Sequence, residues 1–126
     1  MIGLSPPYLV FLGDAPDQLA AKIGVACVQW RPELCVGQLR LPGCRADAKL
    51  PDLTIAAAKE RGAKTLVLGV VASGGRLKEA WTATILDALA HGLDVVSGMH
   101  QKLNDDPRLV DAARAAGRRL FDIRHA

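Results

Sequence analysis

The chain has 126 residues, half of them apolar, and a formal net charge of +3. That length is typical of one domain and leaves no room for a second, while the apolar content is enough for a packed core. The basic residues are scattered and are not interleaved with aromatic residues, so the charge does not indicate a nucleic-acid partner. No apolar run reaches the roughly 18 residues of a membrane span. With no signal peptide and no C-x-x-C cysteine pair, we expect one cytoplasmic domain over residues 1–126.

An apolar run and a capping residue mark the first strand and the first helix. Tyr8–Gly13 is predicted to be a strand buried on both faces. Asp17 is placed to cap a helix over residues 18–30. Gly24 lies in the middle of that helix and is expected to weaken it by about 1 kcal/mol relative to Ala. One face of the helix carries four apolar side chains: Leu19, Ile23, Ala26 and Trp30.

Strand and helix patterns alternate along the rest of the chain. Further strands are predicted at 34–41, 65–70, 93–98 and 119–124. Helices are predicted at 52–61, from 76 or 77 to 91, and at 105–116, each followed by a glycine. Such alternation implies right-handed crossovers and a parallel sheet. We therefore expect a three-layer, Rossmann-like or flavodoxin-like α/β domain with about five parallel strands and helices on both faces, in a strand order that the pattern leaves open.

Residues 69–76, after the third predicted strand, have the features of an anion site. Ligands of parallel α/β sheets collect at the carboxyl ends of the strands, beside the start of the next helix. Gly74 and Gly75 allow close approach of the backbone, Ser73 offers a hydroxyl, and Arg76 can bind a carboxylate with two hydrogen bonds. A simple tight turn is the alternative interpretation, because Gly-Gly turns are common.

Three further polar residues are predicted to lie at the same edge. Asp14 follows the first strand, His100 follows the fourth, and Arg45 lies in a loop at 42–51 that is longer than a plain connection needs. We predict Asp14 and His100 as catalytic residues, since either could take a proton from an amine. Arg45 joins residues 73–76 as a predicted substrate-binding residue. An Asx turn at Asp14 and an Arg45 side chain that merely points to water are the alternatives.

Two common nucleotide-binding motifs are missing from the sequence. The turn at residues 13–17 lacks the second and third glycines of G-x-G-x-x-G, and Pro16 removes a backbone donor. The Walker pattern G-x-x-x-x-G-K-[ST] does not occur. The three histidines have no partners at ligand spacing, so no metal site is predicted. A nucleotide or CoA site at this edge would rest on fold analogy alone.

Several sequence blocks resemble one family. They are FLGDAPD at 11–17, WRPE at 30–33, GQLRLPGC at 37–44, KTLVLG at 64–69, LDVVSGMH at 93–100 and LFDIRH at 120–125. Together they are similar to the N-terminal, Rossmann-like domain of the DgcN-type D-glutamate N-acetyltransferases, long catalogued as a family of unknown function. The resemblance implies acetyl transfer from acetyl-CoA to the amine of D-glutamate, and a larger C-terminal P-loop domain that follows this one.

The resemblance implies that this domain contributes a pocket for an amino acid or dicarboxylate and holds no cofactor itself. The P-loop domain is not among these 126 residues, so the sequence leaves open whether the chain is an enzyme by itself. The alternatives are a nucleotide- or CoA-binding domain, or a non-catalytic module that docks the P-loop domain or a second copy. Trp81 bears on the last alternative, because it is either a core residue at helical spacing with Ile85 and Leu89 or part of an exposed patch.

Overall fold

The fold is known from a computed structural model, which describes residues 4–71, 77–99 and 101–123. Its five strands, β1 to β5, are Tyr8–Gly13, Cys35–Arg40, Thr65–Leu68, Asp94–Ser97 and Leu120–Asp122. All pair in parallel in the order β2-β1-β3-β4-β5. The predicted parallel α/β sheet is confirmed, with β1 placed as predicted and the other strands shorter by one or two residues at their ends.

The α-helices of the described residues lie on both faces of the sheet, as predicted. They are α1 to α4, at Lys22–Trp30, Ile55–Glu60, Glu79–Ala90 and Pro107–Ala116. Neighbouring residues of β1 point to opposite faces: Val10 lies against Gly24 of α1, whereas Phe11 contacts Trp81 of α3. Right-handed crossovers place α2 and α4 on the same face as α3, so α1 stands alone on the other. None of these helices is long and apolar enough to cross a bilayer.

The core is built mainly from aliphatic side chains. Every residue of β1 is buried, as the continuous apolar run predicts. Trp81 is 1% exposed and packs edge to face on Phe11, with ring centroids 5.8 Å apart. Ile85 and Leu89, on the same helix, are also buried. Of the two interpretations of Trp81, the core residue is therefore the correct one.

The predicted start of α2 at Asp52 is wrong, because that carboxylate is engaged elsewhere. Arg40 donates to both of its oxygens at 2.7 Å and holds it beside β2. The helix begins at Ile55, with Thr54 as the capping residue, whose Oγ1 accepts from the backbone N–H of Ala57 at 3.1 Å. A carboxylate before an apolar run is a typical cap signal, and here a long-range ion pair takes precedence over it.

Two other predicted capping residues accept backbone N–H bonds, but both helices begin later than predicted. Asp17 Oδ1 accepts from the N–H of Ala20 at 2.9 Å, at the 3-10 turn Leu19–Ala21, and the α-helix predicted from residue 18 begins at Lys22 without a side-chain cap. Asp106, one of two predicted candidates, caps α4 by accepting from the N–H of Arg108 at 3.0 Å. The helix predicted from residue 105 therefore starts two residues later, at Pro107.

Gly24 brings α1 unusually close to the sheet. Its N–H donates to the carbonyl of Gly69 at 3.0 Å, and a Cβ built on Gly69 would lie 2.5 Å from the Gly24 Cα. A Cβ on Gly24 would lie 2.9 Å from side-chain carbons of Val10 and Leu12, so a side chain at either glycine would displace its neighbours. The helix-weakening glycine of the sequence is thus a packing requirement, and this contact also fixes the rotation of α1. As a result the face that carries Leu19, Ile23 and Trp30 is turned to solvent.

Candidate functional site

A cavity of about 380 Å³ opens at the carboxyl edge of the sheet, between the turn after β1 and the start of α3. That volume lies within the range of small-molecule sites. Its walls are mostly apolar, but the lining includes two carboxylates, Asp14 and Asp17, and one ammonium group, Lys78. The lining residues are Asp14, Ala15, Pro16, Asp17, Leu19, Ala20, Val71, Lys78 and Trp81.

Asp14 is positioned by the turn that ends β1. Gly13 has φ of +56°, a left-handed conformation that glycine adopts without strain. A Cβ at this position would lie 2.9 Å from Nε1 of Trp81, so the glycine also makes room for the indole. The indole N–H in turn donates to Asp14 Oδ1 at 2.9 Å. A buried core residue therefore orients the carboxylate.

Lys78 is the positively charged group among the described lining residues of the cavity. It lies in extended backbone just before α3, which begins at Glu79 rather than at the predicted residue 76 or 77. Its Nζ lies 3.0 Å from Asp14 Oδ2 and 5.4 Å from the centre of the Trp81 ring. Because the extended residue stands outside the helix, its side chain reaches across the cavity to Asp14.

The Asp14 carboxyl group is held in its ionised form. The hydrogen bond from Lys78, followed by that from Trp81, lowers the pKa of Asp14 below its usual 3.8. The side chain of Asp14 is 35% exposed and that of Lys78 is 49% exposed. An ionised carboxylate accepts about four hydrogen bonds. Asp14 therefore has acceptor capacity left for a donor that enters the cavity.

Only two of the predicted site residues lie in the described part of the chain. Asp14 lines the cavity. Arg45 is exposed and is not among the described lining residues, although its backbone N–H donates to the carbonyl of Ala15 at 2.8 Å. The others fall outside the described residues: Ser73, Gly74, Gly75, Arg76 and His100.

Lys78 and the indole N–H of Trp81 are missing from the predicted site. They lie 64 and 67 residues from Asp14 along the chain, so no local pattern links them to it. One signal was available for Lys78. It falls between the third predicted strand and the body of the next helix, and that position belongs to the same sheet edge as Asp14.

The long loop after β2 is held by a separate hydrogen-bond network, whose Arg40 and Asp52 line an open hollow of about 440 Å³. The amide of Gln38, which is 1% exposed, accepts from the N–H of Ala48 at 2.8 Å and donates to Asp47 and Asp52 at 3.1 and 3.3 Å. Arg40 completes the network by its two bonds to Asp52. The pKa of Asp47 is lowered mainly by the N–H of Lys49, and that of Asp52 by Arg40.

The cysteines and one histidine have local roles. All three cysteines are free, and the Cys35 thiol donates to the carbonyl of Arg31 at 3.6 Å. The neighbouring Cys35 thiol lowers the pKa of Cys27 to about 7. His91 ends α3, as predicted, with Nδ1 2.9 Å from the carbonyl of Asp87. Across residues 4–71, 77–99 and 101–123, no three metal-binding side chains come together.

Two curated relatives carry the name D-glutamate N-acetyltransferase. The protein of Tritonibacter scottomollicae is 48% identical over 121 residues, and that of a Pseudoalteromonas species is 43% identical over 122. These alignments cover 96% and 97% of this chain but 36% and 37% of the relatives. The chain therefore spans little more than a third of the length of the curated relatives it matches.

Two solved structures share the fold over 95% of this chain. A DUF1611 family protein from Anabaena variabilis has a TM-score of 0.77 at 20% sequence identity, with 37% of that protein covered. A homoserine dehydrogenase from Thiobacillus denitrificans has a TM-score of 0.56 at 16% identity, with 30% of that enzyme covered. At such identities the likeness establishes the fold alone.

One family model matches most of the chain. It is described as a domain of unknown function (DUF1611_N), Rossmann-like domain, and it matches residues 39–126. The described fold, a parallel sheet with helices on both faces, is the one that this description names. The chain belongs to the DUF1611_N family of Rossmann-like domains.

Proposed function

We propose that this chain is the amino-acid-binding part of a D-glutamate N-acetyltransferase, and that the cavity beside Asp14 receives D-glutamate. One observation carries the proposal: an ionised carboxylate and an ammonium group stand 3.0 Å apart in a cavity of about 380 Å³. D-glutamate carries an ammonium group, which complements Asp14, and two carboxylates, one of which complements Lys78. The names and identities of the curated relatives support the same substrate.

In this proposal different residues of the site bind the amine, the methylene groups and the carboxylates of the ligand. Asp14 accepts hydrogen bonds from the amine, and Lys78 binds one carboxylate. The methylene groups lie against the apolar wall that Leu19 and Val71 provide. The second carboxylate is assigned to the predicted anion site at residues 73–76, with Arg45. Val71 supports this assignment, because it lines the cavity and lies two residues before that stretch.

The lowered pKa of Asp14 separates the roles of Asp14 and His100, the two predicted catalytic residues. Acetyl transfer requires the ammonium group to lose a proton, after which the amine attacks the thioester carbonyl and the CoA thiolate leaves. A carboxylate with a lowered pKa is a weak base but a good acceptor for an amine. We therefore assign Asp14 to holding the amine and His100, with a usual pKa near neutrality, to taking its proton.

The complete reaction belongs to a longer protein. The turn after β1 lacks the glycine pattern of a dinucleotide cradle, and Pro16 in the cavity wall offers no N–H. We assign acetyl-CoA to the part of the enzyme outside this chain. The chain alone is then expected to bind D-glutamate without acetylating it.

Isothermal titration calorimetry of this chain with D-glutamate tests the proposal. We expect millimolar or tighter binding, weakened about tenfold or more by Asp14→Asn and by Lys78→Gln. Lys64→Gln is a matched control, because Lys64 is exposed at the opposite, amino end of β3. Absence of binding at millimolar D-glutamate, or unchanged binding by the Asp14→Asn variant, would contradict the proposal.

A further inference from the structure

The exposed large apolar side chains of the described residues gather on and around α1. Leu19 is 73% exposed, Ile23 40%, Val71 46% and Ile123 43%, and the remaining one, Trp30, ends the same helix. Isolated exposed apolar residues are ordinary, but a contiguous group marks an interaction surface. We call Leu19, Ile23, Val71 and Ile123 the α1 surface.

Three neighbouring cavities make the α1 surface continuous. Leu19 and Val71 share the cavity of Asp14. Leu19 and Ile23 share a groove of about 570 Å³ that runs along α1. Ile23 and Ile123 meet at a small cavity of about 50 Å³ above β3 and β4. The surface therefore extends from the candidate ligand site across α1 to the end of β5.

The border of the groove limits the chemistry of what it binds. Its polar lining residues are Gln18, Lys22 and Gln29, which bring one positive charge and no acidic group. An aliphatic surface flanked by carboxylate or carbonyl acceptors fits this border. The α1 surface lies on the side of the sheet that α1 covers, and it adjoins the opening of the Asp14 cavity.

We propose that the α1 surface docks the carboxyl-terminal region of the longer enzyme, an inference that rests on the proposed function. Roughly two thirds of each curated relative lies outside the match, and the family is that of an N-terminal domain. Because Leu19 and Val71 belong to both the surface and the cavity, the docked region closes the open side of the cavity.

Hydrogen exchange in a joined protein tests the docking. This chain replaces the matching stretch of the Tritonibacter enzyme, and exchange in the joined protein is compared with exchange in this chain alone. Peptides covering residues 19–30 are expected to exchange about fivefold more slowly in the joined protein, because a covered helix opens less often. Peptides covering α4 are expected to keep their rates. Equal rates for residues 19–30 in the two proteins would overturn the proposal.

A matched pair of substitutions locates the contact. Ile23→Glu places a carboxylate in the α1 surface, and Ala56→Glu places one at an exposed position of α2 on the opposite face. Both sites are exposed, so both variants of the chain alone are expected to unfold near the wild-type temperature. In the joined protein only Ile23→Glu is expected to remove the slow exchange of residues 19–30. Slow exchange that survives Ile23→Glu contradicts the proposal.

Two further measurements keep the outcome decisive. Sedimentation of this chain alone is expected to show a monomer, and a dimer that Ile23→Glu dissociates would assign the surface to a second copy instead. If the joined protein does not fold, cross-linking of the intact Tritonibacter enzyme decides. Cross-links from the stretch matched to residues 19–30 into the remaining chain support docking, and their absence opposes it. D-glutamate binding is measured independently, so failure of the proposed function is distinguishable from failure of the docking.

Discussion

The carboxylates of Asp47 and Asp52, in the loop after β2, and that of Asp14, after β1, have different hydrogen-bond partners and different surroundings. In one group, Asp47 and Asp52 accept hydrogen bonds from Gln38 and Arg40, so the network is formed among the protein's own side chains. In the other, Asp14 has two donors and faces a cavity. The contrast shows that a lowered carboxyl pKa does not identify a ligand site, because all three carboxyls have one. Exposure does not distinguish them either, because Asp52 lines an open hollow of about 440 Å³ and its side chain is 56% exposed, against 35% for Asp14. Asp14 differs in its surroundings, since it faces a cavity with mostly apolar walls.

The largest expected effect comes from breaking the loop network at Gln38. Gln38→Ala leaves the buried N–H of Ala48 without its acceptor, so we expect the free energy of unfolding to fall by about 2–3 kcal/mol. Urea unfolding monitored by circular dichroism measures this loss. Gln29→Ala, an exposed glutamine on α1, is the matched control and should change stability by less than about 0.5 kcal/mol. A loss below about 1 kcal/mol for Gln38→Ala would show that the loop is held by other contacts.

The next largest effect is expected when the same substitution, Asp to Asn, is made in each of the two groups and the variants are compared. Asp14→Asn is expected to weaken D-glutamate binding by about 1.4 kcal/mol, that is tenfold, and to lower stability by no more than about 1 kcal/mol through loss of its ion pair with Lys78. Asp52→Asn is expected to lower stability by about 1 kcal/mol, with D-glutamate affinity unchanged. Calorimetric titration and urea unfolding of both variants give the comparison. If both variants lost affinity equally, the loop network would belong to the ligand site.

The pH dependence of stability sharpens the same contrast. The folded-state pKa of Asp52 lies below its usual 3.8, mainly because of Arg40, so its stabilisation is present above about pH 4 and is lost as the pH falls further. Arg40→Gln is therefore expected to destabilise by no more than about 1 kcal/mol at neutral pH, because the pair is partly exposed, and by less at about pH 3. Unfolding of wild type and variant at both pH values measures the difference. An Arg40→Gln effect independent of pH would contradict this account.

The smallest effect concerns the charge of Asp14 itself. Removing the ammonium group by Lys78→Gln is expected to raise the pKa of Asp14 toward 3.8, since the hydrogen bond from Lys78 is its main lowering influence. Titration of the carboxyl carbon by NMR measures the shift. Lys64→Gln serves as the control and should leave that pKa in place. An unchanged value in the Lys78→Gln variant would show that the indole N–H alone holds the carboxylate.

Local patterns were sufficient for the sheet and for most helices, because apolar runs, caps and terminal glycines act over a few residues. The run at Tyr8–Gly13 predicted β1 to its last residue. The start of α2 was wrong because Arg40, twelve residues before Asp52, binds the carboxylate that resembles a cap. Strand order was open because alternation fixes the handedness of a crossover but not its direction.

The candidate site was predictable only in part. Asp14 could be placed because it directly follows a buried strand. Lys78 and Trp81 approach it through the packing of α3 on β1, which no spacing in the sequence encodes. Gly24 was misjudged for a related reason: the sequence shows the loss of helix propensity, whereas the contact with Gly69 exists only in the folded chain.

The indole N–H of Trp81 offers the most direct test of D-glutamate binding beside Asp14. Its hydrogen bond to Asp14 Oδ1 makes its NMR resonance sensitive to whatever else that carboxylate binds. Trp30, the other tryptophan, is 77% exposed at the far end of α1 and serves as an internal control. On addition of millimolar D-glutamate, we expect the Trp81 indole resonance to shift in a saturable way while that of Trp30 stays in place. Two stationary resonances, or equal shifts of both, would contradict the account.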